Sequence, residues 1–173
     1  MPCSLTMGYN LDCRDSYGGV KEVFIMELAN ATAITSGAGI VTAITKASTK
    51  LFYKYNLIAH TGEGTDTLTA NRENGTLMSA QTIAFPINKM TVAVRNELLL
   101  LAQARLLIVL IDQNGLGWLY GRDNGMMIAT AGGKTGKTLA DRNGYELAFE
   151  GTEKELALNV NAATLLTLQT AGV

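Results

Sequence analysis

Six aliphatic residues in a row, Leu106-Leu107-Ile108-Val109-Leu110-Ile111, follow almost directly on a helical repeat, and this junction constrains the fold more than any other stretch. A strand from Arg105 to Ile111 with no polar side must be covered on both faces. Upstream the period changes. Met90, Ala93, Val94, Leu98 and Leu101 recur at three-to-four spacing, which predicts one amphipathic helix from Lys89 to about Ala104. Asn88 is the expected N-cap, Pro86 keeps the chain before it extended, and Arg105 suits the negative end of the helix dipole.

The remainder reads as strands. Val20 to Leu28 alternates, with Phe24, Met26 and Leu28 on one side and Val23, Ile25 and Glu27 on the other, and Thr32 to Thr35 extends the pattern. Gly37 and Gly39 mark a turn before a strand from Ile40 to Lys46; a third runs from Leu51 to Ala59 and a fourth from Thr76 to Ile87. Asn-Gly pairs at 74–75, 114–115, 124–125 and 143–144 sit beside strand-like runs. Asn-Gly is the preferred pair for a type I′ turn, because both central residues need positive φ, so together the pairs predict antiparallel hairpins. The last strand, Tyr145 to Glu150, turns Tyr145, Leu147 and Phe149 to a core and Glu146 and Glu150 to water.

The expected fold class is therefore mainly β, an antiparallel β-barrel or sandwich with one flanking α-helix at 89–104. An N-terminal arm (1–20) leads into a single domain (21–155), and the segment 156–173 is read as a C-terminal arm with a short helix or extended chain around Asn161. Residues 60–75 stand apart as polar, glycine-bearing and long for a connection; a loop or floppy hairpin of this kind commonly serves function or meets another chain. Because it holds no periodic apolar position, deleting 62–69 is expected to leave the fold intact.

At 173 residues the chain suffices for one domain burying roughly 70% of its unfolded surface. Its net charge of −1, with 17% charged residues, argues against a dedicated nucleic-acid binder and leaves little charge repulsion between copies. The longest apolar run, 98–111, is short and broken by Gln103 and Arg105, so no membrane insertion is expected. The first residues lack the basic region and apolar core of a secretory signal, and Cys3 and Cys13 are read as reduced thiols of a cytoplasmically made protein.

The candidate chemistry has plainer explanations. Gly132-Gly133-Lys134-Thr135-Gly136-Lys137-Thr138 suggests a phosphate loop, but Ala131 occupies the place of the first glycine and a turn, not a helix, follows. The glycines of Gly115-Leu116-Gly117-Trp118-Leu119-Tyr120-Gly121 have the wrong spacing for a dinucleotide fingerprint and lie in a hairpin. His60 is the only histidine, with no paired ligand spacing for zinc and no activated cysteine beside it. Glu146 and Glu150 resemble an acid–base pair only in type; on a strand they line one solvated face. Trp118 with Tyr120 has one basic neighbour, Arg122, too few for a nucleic-acid stacking platform. No cofactor, metal or catalytic residue is expected.

A β-meander split by one helix, the pairing of Lys89-Met90 and Arg95-Asn96-Glu97-Leu98 with Ile111-Asp112-Gln113-Asn114-Gly115-Leu116-Gly117-Trp118-Leu119-Tyr120-Gly121, and the opening run from Asp12 to Val23 together resemble structural proteins of tailed bacteriophages, most of all the tail tube family. The likeness spans roughly residues 20–160. It implies a virion subunit, made in the host bacterial cytoplasm, whose hexameric rings join strands into one inner barrel and stack into a tube that passes DNA, with other tail proteins as partners. It also implies ring-stacking contacts by the arms and by Gly62, Glu63, Gly64, Thr65 and Asp66, and a lumenal role for Glu146 and Glu150. The competing readings are a head-completion, neck or capsid-decoration protein, and a monomeric binding domain or small hydrolase.

Overall fold

The computed structural model describes residues 7–10 and 14–169, so the expectations for Cys3 and Cys13 lie outside the described residues. The chain is mainly β, and its strands form two sheets. In chain order they are β1 (Val20–Glu27), β2 (Ala31–Gly37), β3 (Ile40–Lys46), β4 (Tyr53–Asn56), β5 (Glu63–Asn71) and β6 (Thr76–Asn88), then β7 (Leu106–Asp112), β8 (Gly117–Tyr120), β9 (Met127–Lys134), β10 (Gly144–Glu153) and β11 (Leu158–Val160). Helix α1 (Val92–Leu101) follows β6, and α2 (Ala162–Gln169) follows β11. The larger sheet has the order β2-β3-β11-β8-β7-β1-β4, and the smaller β5-β6-β10-β9. Neither closes into a barrel, so of the two forms expected the open sandwich is the one found.

The apolar run behaves as its composition requires. β7 lies between β1 and β8, and Leu106 through Ile111 are all buried. Leu106, Ile108 and Leu110 join Val23 and Ile25 of β1 in the core between the sheets, where they meet Ile83, Phe85, Leu147 and Phe149 of the smaller sheet. Leu107, Val109 and Ile111 join Phe24 and Met26 in a second core on the opposite face, closed by Leu165 and Leu168 of α2 with Val41 and Phe52. Each such side chain contributes about 1.5–3 kcal/mol of hydrophobic stabilisation. The Phe85 and Phe149 rings stack with centroids 5.6 Å apart.

Helix α1 is shorter than its periodicity suggests. β6 runs on to Asn88, held by pairing with Gly144, and Lys89 reverses the chain in a left-handed conformation (φ 65°). The N-cap is consequently Thr91, whose side chain accepts from the Val94 N–H at 3.2 Å, and not Asn88. Leu98 and Leu101 anchor the helix over one end of the inter-sheet core, whereas Val92, Leu99 and Leu100 stay exposed.

The C-terminal residues correct the reading of an arm, and of the short helix or extended chain expected around Asn161 the helix is the one found. β11 lies inside the larger sheet, antiparallel to β8 and parallel to β3, and α2 packs on the second core. Asn161 caps α2 through the Thr164 N–H at 2.7 Å. At the other end, the described residues before Val20 carry no helix or strand, and Tyr17 is tied to the β7–β8 turn by the Asn114 side chain.

The Asn-Gly pairs at 74–75 and 114–115 lie in the turns of antiparallel hairpins as expected, but none of the four makes a type I′ turn: the asparagine has no positive φ at any of them. At β7–β8 the Gly115 N–H donates to Asp112 O and the Asp112 N–H to Leu116 O, a three-residue loop in which only Gly115 (φ 81°) is left-handed. Residues 124–125 join no hairpin. There the chain leaves the larger sheet for the smaller, since β8 pairs with β7 and β11 while β9 pairs with β10. Gly144 is the first residue of β10.

Of the loop or hairpin expected at 60–75, the hairpin is the one found. β5 pairs with β6 from Glu63↔Ala84 to Asn71↔Thr76, and only 72–75 form the turn. Removing 62–69 would delete most of an edge strand, which overturns the expectation that the segment is dispensable for folding.

Candidate functional site

The outer face of the smaller sheet is the surface that the tertiary structure singles out. With a period of two, alternate residues of β5, β6, β10 and β9 point away from the core, and the register aligns them in rows. Glu63, Ala84, Ala148 and Thr130 make one row; Thr65, Thr82, Glu150 and Met127 make the next. Pro86, Glu146 and Gly132 make a third. Small and polar side chains dominate this face, and the Thr65 and Thr82 hydroxyls bond each other across the strands.

Its three rows carry Glu63, Glu146 and Glu150, with Lys134 Nζ bonded to Glu146 Oε2 at 2.6 Å, Arg142 beside Glu63 and Glu146 at one end and Arg105 beside Glu150 at the other. That hydrogen bond and the Lys134 charge, helped by Arg142, hold the Glu146 carboxyl below its ordinary range. Glu146 and Glu150, read as facing water, are both exposed here. His60 (φ 63°), Arg142 and Glu146 border one shallow depression at an end of the face.

Of the residues assigned to a stacking loop, the strand separates two groups. Glu63 and Thr65 lie on the outer face. Gly64 and Asp66 point inward, where a Cβ on Gly64 would come 2.7 Å from Leu110 and Asp66 accepts from Ser79 Oγ and from the Ala157 N–H. Gly62 is pressed against Leu57 and Val20. Trp118 and Tyr120 belong to the core, and burial, with Asp66 nearby, pushes the Tyr120 phenol up to about 12.

Among the described residues no further strand pairs with either edge of this sheet. β5, nine residues long, and β9, eight, each turn the backbone groups of alternate residues to an edge, and neither contains proline or an internal lysine. Unpaired N–H and C=O rows of this length recruit further strands unless something covers them. Beyond the sandwich, the β5–β6 hairpin carries Leu68, Leu77 and Met78 exposed to solvent.

A buried polar seam, which sequence reasoning missed, fixes the sheet at one end. Glu153 is 4% exposed and accepts from the backbone N–H groups of Asp123 and Asn124 at 2.9–3.2 Å. Gln81 Oε1 accepts from the Gly121 N–H at 3.0 Å. The signal was present: the alternation Tyr145, Leu147, Phe149 carried on by two steps puts Glu153 on the core side.

Elsewhere a cleft of about 400 Å³ between β4 and α1, lined by Tyr53, Tyr55 and Leu100 with Lys54 and Glu97, holds no nucleophile paired with a base. Among the described residues no cluster of histidine, cysteine or carboxylate side chains is arranged to hold a metal, and no helix is long and apolar enough to cross a membrane. Gly132 and Gly133 lie in β9, and the Lys137 and Thr138 N–H groups bond the Asp141 carboxylate. Comparison with protein-family models, curated proteins and solved structures finds no match to this chain.

Proposed function

We propose that the chain is a virion structural subunit that assembles with copies of itself into stacked rings, forming the tail tube of a bacteriophage. The observation that carries this reading is the smaller sheet, a four-stranded wall with two undefended edges and an outer face of small, polar and acidic side chains. In a ring, β5 of one copy pairs with β9 of the next, a head-to-tail contact that repeats until it closes. Closure removes both edges of the smaller sheet and gives a continuous barrel wall. Six copies are the expected number. The outer face then lines the lumen, where Glu63, Glu146 and Glu150 repel the phosphate backbone of passing DNA and the threonines and alanines offer it no apolar grip. The exposed hairpin end at Leu68, Leu77 and Met78 supplies the ring-to-ring contact.

Electron microscopy and solution mass of the purified protein test this together with two edge variants, Thr67→Pro and Leu68→Pro. Of two successive strand residues one N–H points to β6 and the other to the open edge. The variant that keeps the monomer's circular dichroism is expected to lose rings or tubes. A wild-type protein that remains a monomer at every concentration refutes the reading. Binding to preassembled heads would instead favour a decoration or neck protein, and turnover of a small molecule an enzyme.

A further inference from the structure

The four Asn-Gly pairs are chemically alike in sequence but unequal in the fold, and we infer that Asn74-Gly75 is a self-modification site at which the chain converts asparagine to aspartate and isoaspartate while the other three are protected. In this reaction the Gly75 backbone nitrogen, having given up its proton, attacks Cγ of Asn74. A nitrogen–Cγ bond forms, the Cγ–Nδ2 bond breaks, and Nδ2 departs with the proton as ammonia. Water then opens the cyclic imide at either carbonyl, leaving a carboxylate on the side chain or in the main chain. The balance is one amide and one water to one acid and one ammonia, and no enzyme, oxidant or cofactor enters.

The step needs a free side-chain amide, a free glycine N–H and a backbone able to bring them together. Three sites fail. Asn114 is held at both ends of its amide, with Oδ1 accepting from the Tyr17 N–H at 2.8 Å and Nδ2 donating to Tyr17 O at 2.9 Å, and the Gly115 N–H is engaged by Asp112 O. Asn124 donates from Nδ2 to Thr152 O at 2.7 Å, and Gly125 is buried against Arg105 and Leu28. Asn143 accepts from the Met90 N–H through Oδ1, and Gly144 is locked in β10, buried between Lys134 and Asn88.

Asn74 differs on each point. It lies exposed in the four-residue turn of the β5–β6 hairpin, and its backbone N–H bonds Asn71 Oδ1 at 3.2 Å. Among the described residues nothing holds its side-chain amide or the Gly75 N–H. Gly75 sits in the left-handed region (φ 64°) without a side chain to obstruct the attack. Conversion adds a negative charge beside Glu73 at the hairpin tip.

Tryptic peptide mapping by mass spectrometry tests this on the intact native protein after days at mildly alkaline pH, because trypsin places each pair in a separate peptide: 73–89, 106–122, 123–134 and 143–154. Conversion in peptide 73–89 is expected to lead each of the others by about tenfold or more, since those must first open locally. It should disappear in Asn74→Gln, and in denaturant the four peptides should convert at similar rates. Equal conversion of the four in the native protein, or a lead by any peptide other than 73–89, overturns the inference. Because the proposed ring-to-ring contact uses this hairpin end, the mapping is read on protein whose solution mass is that of a monomer, by dilution or with the edge variant that abolishes rings, so that its failure is distinguishable from failure of the ring reading.

Discussion

Glu153→Ala is the perturbation that best tests how the two sheets are joined. The carboxylate is buried and accepts from two backbone N–H groups, those of Asp123 and Asn124, at 2.9–3.2 Å. These hold the segment where the chain crosses from the larger sheet to the smaller, directly before the paired bonds between Leu106 and Met126, both 2.8 Å. A hydrogen bond to a charged group contributes about 1.5–3 kcal/mol net. Two would give up to about 6 kcal/mol; the donors belong to exposed residues that water can partly satisfy, so the expected loss is about 3–4 kcal/mol. Glu153→Gln keeps the shape and one acceptor and should lose about 1–2 kcal/mol. Urea unfolding with unchanged slope measures the first quantity, and amide exchange at Leu106 and Met126 reports whether the crossing has loosened. An alanine variant within about 0.5 kcal/mol of the parent, the level of ordinary surface changes, with Met126 as protected as before, would refute this account.

Other expectations concern packing and ionisation. Gly117→Val forces a side chain into α2, because even a Cβ there would lie 2.5 Å from Leu165 Cδ2; thermal melting should show a loss of about 1–3 kcal/mol, and no loss would mean α2 does not dock on β8. Leu98→Asp puts a charge on the buried side of α1 and should abolish cooperative unfolding seen by circular dichroism, whereas Leu100→Asp, on the exposed side, should not. Tyr55 and Tyr120, pushed by burial from 10.0 to about 12, favour the folded state fully below pH 10 and lose that contribution as pH rises towards 12. In an absorbance titration Tyr55→Phe and Tyr120→Phe should each remove a transition near pH 12, and removal of one near pH 10 instead would contradict the burial.

Local pattern determined much of this protein without any tertiary information. The unbroken apolar run Leu106 to Ile111 required a strand covered on both sides, and the alternation in β10 told core from solvent correctly because one-residue steps flip a side chain across a sheet, whereas in β1 the two sides of the alternation meet two different cores. The outward faces of Glu146 and Glu150 were legible for the same reason. What the sequence left open was settled by partners distant along the chain. The polar, threonine-rich segment Glu63–Asn71 carries no apolar alternation, and it becomes a strand because β6 supplies its hydrogen-bond ladder. β11 has three residues and too little pattern to announce itself; its place between β3 and β8 follows from the gap those strands leave. Likewise the helix start moved to Thr91 because pairing with Gly144 holds β6 extended to Asn88, and the inward acids Asp66 and Glu153 are tolerated only where backbone donors from other segments reach them. Period and composition fix which side of an element is apolar; which elements meet, and hence where buried polar groups find partners and which edges stay open, is decided by contacts that exist only once the chain has folded.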